Sequence, residues 1–314
     1  MPLHRANLRG RWGRTKRWDY WAVLAGDLVV SSVYADVDYL GLADVWWVDL
    51  TTGQAGGRGI VVPGARGIAL PDRPGTAPLR VRRKKFELEI TDDDAGTRLR
   101  ATWRERDGAS GWLDVTVGLP PAHESLSVVI PWDDRRFQYT SKHQARPARG
   151  ALVVGDRRWD IGSEGGGADA WGVLDVGRGR WPYRTVWNWG GGAGRLADGR
   201  VLGLQLGGKW TQGTGFTENG VLLDGVLTKL GDELEWDYSW DEPLRPWRVS
   251  DPGGRLNLEL TPRYDKHTKI EAIAMGTETH QVFGAWSGTF VTQAGESLNF
   301  TGFQGFAEES RSRW

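Results

Sequence analysis

The chain has 314 residues, more than a single hydrophobic core usually serves, so two subdomains or one very large one are expected. Its 40 Lys and Arg balance its 40 Asp and Glu, which argues against a globally basic nucleic-acid binder, and the lack of cysteine excludes disulfides, thiolate metal sites and cysteine nucleophiles. No apolar run is long enough for a membrane span, no signal peptide is expected, and a cysteine-free composition fits the cytoplasm.

Residues 1–18, MPLHRANLRGRWGRTKRW, hold six Lys/Arg and no acid. They form a basic arm whose Trp12 and Trp18 either stack on bases or pack back on the body. Further on, the signal has period two. In KFELEITD, Phe86, Leu88 and Ile90 face one way and Glu87 and Glu89 the other; Leu99, Ala101 and Trp103 alternate, as do Leu113, Val115 and Val117. RRKK at 82–85 is expected to open a solvated edge strand. ELEWDYSW alternates Leu234, Trp236, Tyr238 and Trp240, and RLNLELTP alternates Leu256, Leu258 and Leu260. Glycine-bearing turn clusters separate these runs, among them TTGQAGG, TDDDAGT, SEGGGAD and SDPGGR. No long amphipathic helix interrupts them. An all-β meander follows, closed as a barrel or paired as a sandwich. The segment HQARPARG, 143–150, is the expected boundary between domains 1–145 and 146–314.

Several motif lookalikes fail on chemistry. GLQLGGKW, 203–210, fits the glycines and lysine of a phosphate loop, but Trp210 replaces the required Ser or Thr and no helix follows. Asp36 and Asp38 in ADVDYLG would share a strand face and offer two metal ligands without a third. The five histidines show no metal-ligand spacing, and no nucleophile elbow is present.

The 19 tryptophans and 45 glycines concentrate where ionisable groups do. DVGRGRWPYRTVWNWGGG, 175–192, is the densest case. As a strand, 185–189 puts Trp187 and Trp189 on one face, and Asp175 is a candidate partner for the arginines around it, Arg178 and Arg184 included. Trp181 and Tyr183 lie on the intervening turn. FQYTSKHQ brings Tyr139 and, on the other face, Lys142. GGKWTQGTGFTENG carries Trp210, Glu218 and Asn219. A carboxyl in apolar surroundings has a raised pKa and can act as a general acid, so Asp175, Glu218 and Tyr183 are the candidate catalytic residues. Tyr139, Lys142, Arg178, Trp181, Arg184, Trp187, Trp189, Trp210 and Asn219 are the candidate substrate contacts.

The segments HRANLRGRWGRTKRWDYW, ADVDYLG, FQYTSKHQARPARG, DVGRGRWPYRTVWNWG, GGKWTQGTGFTENG, LDGVLTKL and FGAWSGTF resemble, in order, the landmarks of the bacterial domain of unknown function 2804 family. The resemblance spans nearly the whole chain. Gln212 stands where family members often have Asp, and Phe216 where they often have Met, so no role is expected at 212. The resemblance implies antiparallel lipocalin-like (calycin) β-barrels in tandem, as in carotenoid hydratases and tocopherol cyclases. It also implies proton-transfer chemistry on an elongated apolar molecule with no cofactor. Three readings follow: an acid/base hydratase, isomerase or cyclase; a non-catalytic lipid or small-molecule binder; and a purely structural aromatic interior.

Overall fold

A computed structural model of the chain describes residues 8, 12–162, 169–271 and 275–314; most of the basic arm and the SEGGGA turn lie outside them. The period-two segments form strands because each buries one face. Phe86, Leu88 and Ile90 are all at most 2% exposed, while Glu87 points outward. The strands are β1 (Thr15–Ala25), β2 (Leu28–Asp36), β3 (Leu40–Asp49), β4 (Gln54–Pro63), β5 (Leu79–Arg83), β6 (Phe86–Asp93), β7 (Gly96–Arg104), β8 (Ser110–Gly118), β9 (Leu126–Pro131), β10 (Phe137–Val154), β11 (Arg157–Ile161) and β12 (Ala170–Arg180). They continue with β13 (Arg184–Arg195), β14 (Val201–Gly208), β15 (Asn219–Leu223), β16 (Val226–Leu230), β17 (Glu235–Asp237), β18 (Trp247–Ser250), β19 (Leu256–Glu271), β20 (Gly276–Val291) and β21 (Ser297–Arg313). No α-helix occurs among the described residues, and hence no helix long and apolar enough to cross a membrane.

Two compact units result: 1–121 with 138–141 and 146–180, and 122–137 with 142–145 and 181–314. The division differs from one at 145/146. Residues 146–180 stay with the first unit because β12 pairs along its full length with β1, from Thr15 opposite Arg180 to Ala25 opposite Ala170. In the first unit the strand order runs β4-β3-β2-β1-β12-β10-β8-β7-β6-β5, with β11 also paired to β10. Its core gathers Trp21, Val30, Trp47, Phe86, Leu88, Trp103 and Val115. The second unit is ordered β16-β15-β14-β13-β21-β20-β19-β18-β17 around Leu204, Leu206, Trp247, Leu258, Leu260 and Trp286. Each sheet is antiparallel and curls as a half-barrel. β5 is an edge strand, and Arg82 to Lys85 are exposed there, as their charge requires.

One sequence expectation changes here. Asp36 and Asp38 do not share a strand face: β2 ends at Asp36, whose Oδ1 accepts the Asp38 N–H at 2.8 Å, and Asp38 turns at φ 70°. Asp38 Oδ2 accepts the N–H groups of Gly13 and Thr15, at 2.7 and 3.0 Å, and so anchors the start of β1. The described part of the basic arm packs back on the body from Thr15 onward, while Trp12 and Arg14 stay exposed. Trp18 lies within β1, and Lys16 is fully buried. Lys16 Nζ donates to the carbonyls of Gly13 and Val37, at 3.3 and 3.2 Å, and lies 4.2 Å from the centre of the Tyr39 ring.

Burial lowers the Lys16 ammonium from 10.5 to about 8, against the pull of Asp38 and Asp36. Between those two values the unfolded chain binds more protons than the folded one, so stability rises with pH. The gap of about 2.5 units corresponds to about 3 kcal/mol. Denaturant melts from about pH 7 to 11 should show this rise in the wild type relative to Lys16→Met; superimposable profiles would refute it.

Candidate functional site

In the first unit, β1 and β12 place two charged groups on opposite faces of one ladder. Trp18 lies opposite Gly177 and Tyr20 opposite Asp175, so these four share a face. Gly177 is needed there, because a Cβ would lie 2.1 Å from Cε2 of the Trp18 indole. The indole Nε1 donates to Asp175 Oδ2 at 2.9 Å, and Thr140 Oγ1 donates to Asp175 Oδ1 at 3.1 Å. Arg178 sits three residues along the same strand and therefore faces away from Asp175. Its partner is Asp19, at 2.8 Å, and its Nη1 also donates to the carbonyls of Trp18 and Gly177, at 2.7 and 2.9 Å. Arg178 thus pairs with Asp19 and not with Asp175, because 175–180 is strand rather than turn. Burial pushes the Asp19 carboxyl above its ordinary range, against the opposing pull of Arg178. Tyr139 is half-buried against this unit's apolar core.

In the second unit, β13 alternates as expected. Trp187 lies opposite Ser310 and Trp189 opposite Glu308 on one face; Asn188 lies opposite Glu309 on the other. The Trp189 face is polar and aromatic. Trp189 Nε1 donates to Gln205 Oε1 at 3.1 Å, which also accepts from Gln144 Nε2 at 3.0 Å. Trp187 Nε1 donates to Glu308 Oε1 at 2.7 Å, and Gln281 Nε2 donates to Glu308 Oε2 at 2.9 Å.

Glu218 occupies this constellation at 1% exposure. Its Oε1 accepts from Trp210 Nε1 at 2.6 Å, and Lys142 Nζ lies 3.4 Å from Oε2. The same ammonium sits 4.3 Å from the Trp189 ring centre, where the indole quadrupole attracts it. Trp210 belongs to a cluster with Trp132, Trp181, Trp187 and Trp314, in which Trp181 stacks on Trp210 at 5.9 Å and Trp187 on Trp314 at 6.5 Å. The structure therefore brings Lys142, Trp181, Trp187, Trp189, Trp210 and Glu218 together. Asn219 is also buried, but its amide holds backbone: Oδ1 accepts the Gly207 N–H at 2.6 Å and Nδ2 donates to the Asp232 carbonyl at 3.1 Å.

Gly207 makes room for the carboxylate, since a Cβ there would lie 2.2 Å from Glu218 Cγ and 2.5 Å from its Oε1. Gly207→Ala should cost about 1–3 kcal/mol and push Glu218 off the Trp210 indole. Urea melts and the indole N–H resonance of Trp210 would report both, and an unshifted resonance would count against this packing.

Tyr183 and Arg184 are not part of the constellation. Both are exposed, Tyr183 at 40%, and Arg184 lines an open groove of about 460 Å³ with Val186, Lys269, Arg311 and Arg313. The Asn188 face carries a network that sequence reasoning missed. Lys209 Nζ donates to Tyr238 Oη at 2.7 Å and to Glu309 Oε2 at 2.8 Å; Tyr238 also hydrogen-bonds Glu309, and Arg311 pairs with it. Tyr238 stacks on Trp247 at 3.9 Å. Lys209 takes φ 67°, a backbone strain that its two hydrogen bonds offset. Burial would raise the Glu309 carboxyl, but the hydrogen bonds from Lys209, Tyr238 and Arg311 outweigh it and hold the group below its ordinary value. Burial and Glu309 push the Tyr238 phenol up.

The family model of the domain of unknown function DUF2804 matches residues 1–314. The chain belongs to that family. No curated protein matches the DUF2804 chain in sequence. Among solved structures, kievitone hydratase from Nectria haematococca is similar at 13% identity and a TM-score of 0.59, with 96% of this chain and 89% of that one covered. A candidate ATTH from Nitrosomonas europaea is similar at 14% identity and a TM-score of 0.53, with 94% and 92% covered. Identities this low carry the fold. The DUF2804 chain has the all-β, tandem lipocalin-like fold.

Proposed function

We propose that this DUF2804 protein is a cofactor-independent enzyme that moves protons on a hydrophobic isoprenoid-, lipid- or polyketide-like molecule, as a hydratase, isomerase or cyclase. The observation that carries this reading is the Glu218 carboxylate, buried at 1% exposure between an indole N–H and the Lys142 ammonium. An apolar binder could be lined with aliphatic side chains and avoid the cost of desolvating two charges. A proton-transfer site has a use for such a pair: the carboxylate can take a proton from a substrate and return it, and the ammonium 3.4 Å away governs its charge. The faces of Trp181, Trp187, Trp189 and Trp210 would stabilise positive charge developing on a protonated alkene or enol. Glu218 is assigned the acid/base role and Lys142 the control of its charge. Asp175, held by Trp18 and Thr140 in the first unit, and Tyr183, exposed in the second, carry less of the reading. Kievitone hydratase, whose fold this chain shares, makes addition of water one reaction worth testing first.

The test is solvent isotope incorporation. Wild type and Glu218→Gln are incubated in deuterium oxide with a panel of isoprenoid and polyketide compounds, which are recovered and weighed by mass spectrometry. The wild type should place deuterium on carbon of at least one compound, and Glu218→Gln should do so about 10²–10⁴-fold more slowly. Compounds bound but recovered without label would favour the non-catalytic binder instead.

A further inference from the structure

We infer that His267, His280 and Glu278 form a binding site for one divalent transition-metal ion of the zinc class. The β19–β20 hairpin creates it. His267 lies directly opposite His280, and Lys269 opposite Glu278, so the two imidazoles and the carboxylate share one face of the ladder. The rings are parallel within 1° at 4.2 Å. A ring nitrogen of each histidine and a carboxylate oxygen of Glu278 lie within 4.8 Å of one another, and His267 Nε2 is already 3.0 Å from Glu278 Oε1. Ligand atoms around tetrahedral zinc stand about 3.4 Å apart, given bonds of about 2.0–2.1 Å, so the ligand atoms are near the required spacing, and the two rings would tilt out of their stack to aim their in-plane lone pairs at one ion.

Three further features point to a cation. Asp265 Oδ2 holds His280 Nδ1 at 2.7 Å, the carboxylate–imidazole arrangement that fixes a metal-binding histidine and leaves Nε2 to coordinate. Asp265 and Glu278 supply negative charge; Lys269 sits 3.2 Å from Glu278 Oε2 and leaves Oε1 toward the histidines, and Arg311, opposite Glu278 in the ladder, is paired with Glu309. His267 is 44% exposed at its side chain, which gives an ion access and leaves a coordination position for water, while the Trp240 edge covers His280 at 4.5 Å. Two imidazoles and one carboxylate are a donor set suited to zinc, iron(II) or cobalt(II). Sequence spacing hides the site, because its members come together only through the hairpin register. His280 lies opposite Glu309, so this site is on the Asn188 face of the sheet; it is separate from Glu218 and does not depend on the proposed function.

The test uses untagged protein dialysed against a chelator and titrated calorimetrically with zinc chloride and cobalt chloride. One ion should bind per chain, and bound cobalt should show the visible absorption of a four- or five-coordinate site. Asp265→Asn should weaken binding by about 10–100-fold, and His267→Ala by at least about as much, with circular dichroism unchanged because His267 is half in solvent. Failure of the wild type to bind, or binding that is the same in His267→Ala and Glu278→Gln, would overturn the inference and leave these residues as ion pairs.

Discussion

Glu218→Ala is expected to lower the free energy of unfolding by about 3–5 kcal/mol, measured by urea or thermal melts. The reason is what remains. Lys142, 6% exposed, would keep an ammonium in surroundings built of indole and amide, with its carboxylate gone. The Trp210 N–H would also lose the acceptor it holds at 2.6 Å. Lys142→Met should cost a comparable amount by stranding the carboxylate. Replacing both by methionine removes the desolvation of two charges along with their attraction, and so should recover most of the loss or exceed the wild type by about 1–4 kcal/mol. A single-variant loss below about 1 kcal/mol would mean that the pair behaves as a solvated surface bridge and that Glu218 is not sealed in.

The second large effect belongs to the first unit. Arg178→Met should cost about 3–5 kcal/mol near neutral pH, because Arg178 is fully buried and supplies the positive charge beside Asp19, itself 5% exposed. The cost should depend on pH with a definite sign. The Asp19 carboxyl already sits above its ordinary value near 3.8 because burial outweighs Arg178, so the folded state holds that proton longer than the unfolded one. Such a group gives stability that is present in acid and is lost as pH rises through its folded pKa. Without Arg178 the upward shift grows. The variant's deficit should therefore be small at about pH 4 and large at about pH 7, and a deficit independent of pH would contradict the pairing.

The sequence carried the strands because a half-buried strand writes its burial directly into alternation. Leu99, Ala101 and Trp103, or Leu256, Leu258 and Leu260, could be placed on a buried face one residue at a time. The shared face of Trp187 and Trp189 followed from the same rule. Partnerships across the sheet did not. Proximity in sequence offers Asp175 to the arginines around it, whereas the strand turns Asp175 and Arg178 apart and β1 supplies Asp19. Lys142 and Glu218 were both legible as buried ionisable groups, but nothing local says that they meet. Tyr238, Lys209 and Glu309 look like ordinary members of three separate segments until β21 and the turn after β14 bring them into hydrogen-bonding range. The unit boundary was hidden for a related reason. β10 runs unbroken from Phe137 to Val154 while its residues 142–145 belong to the second unit, so no loop marks the change.

The most direct measurement is native mass spectrometry of freshly expressed protein, followed by solvent extraction and analysis of whatever is released. An apolar molecule should ride on the wild type and be depleted from Trp189→Ala, which removes the ring beneath the Lys142 ammonium. Protein that arrives empty, and that also fails to take up any member of an isoprenoid, fatty-acid and polyketide panel, would contradict the assignment of the Glu218–Lys142 constellation to hydrophobic chemistry.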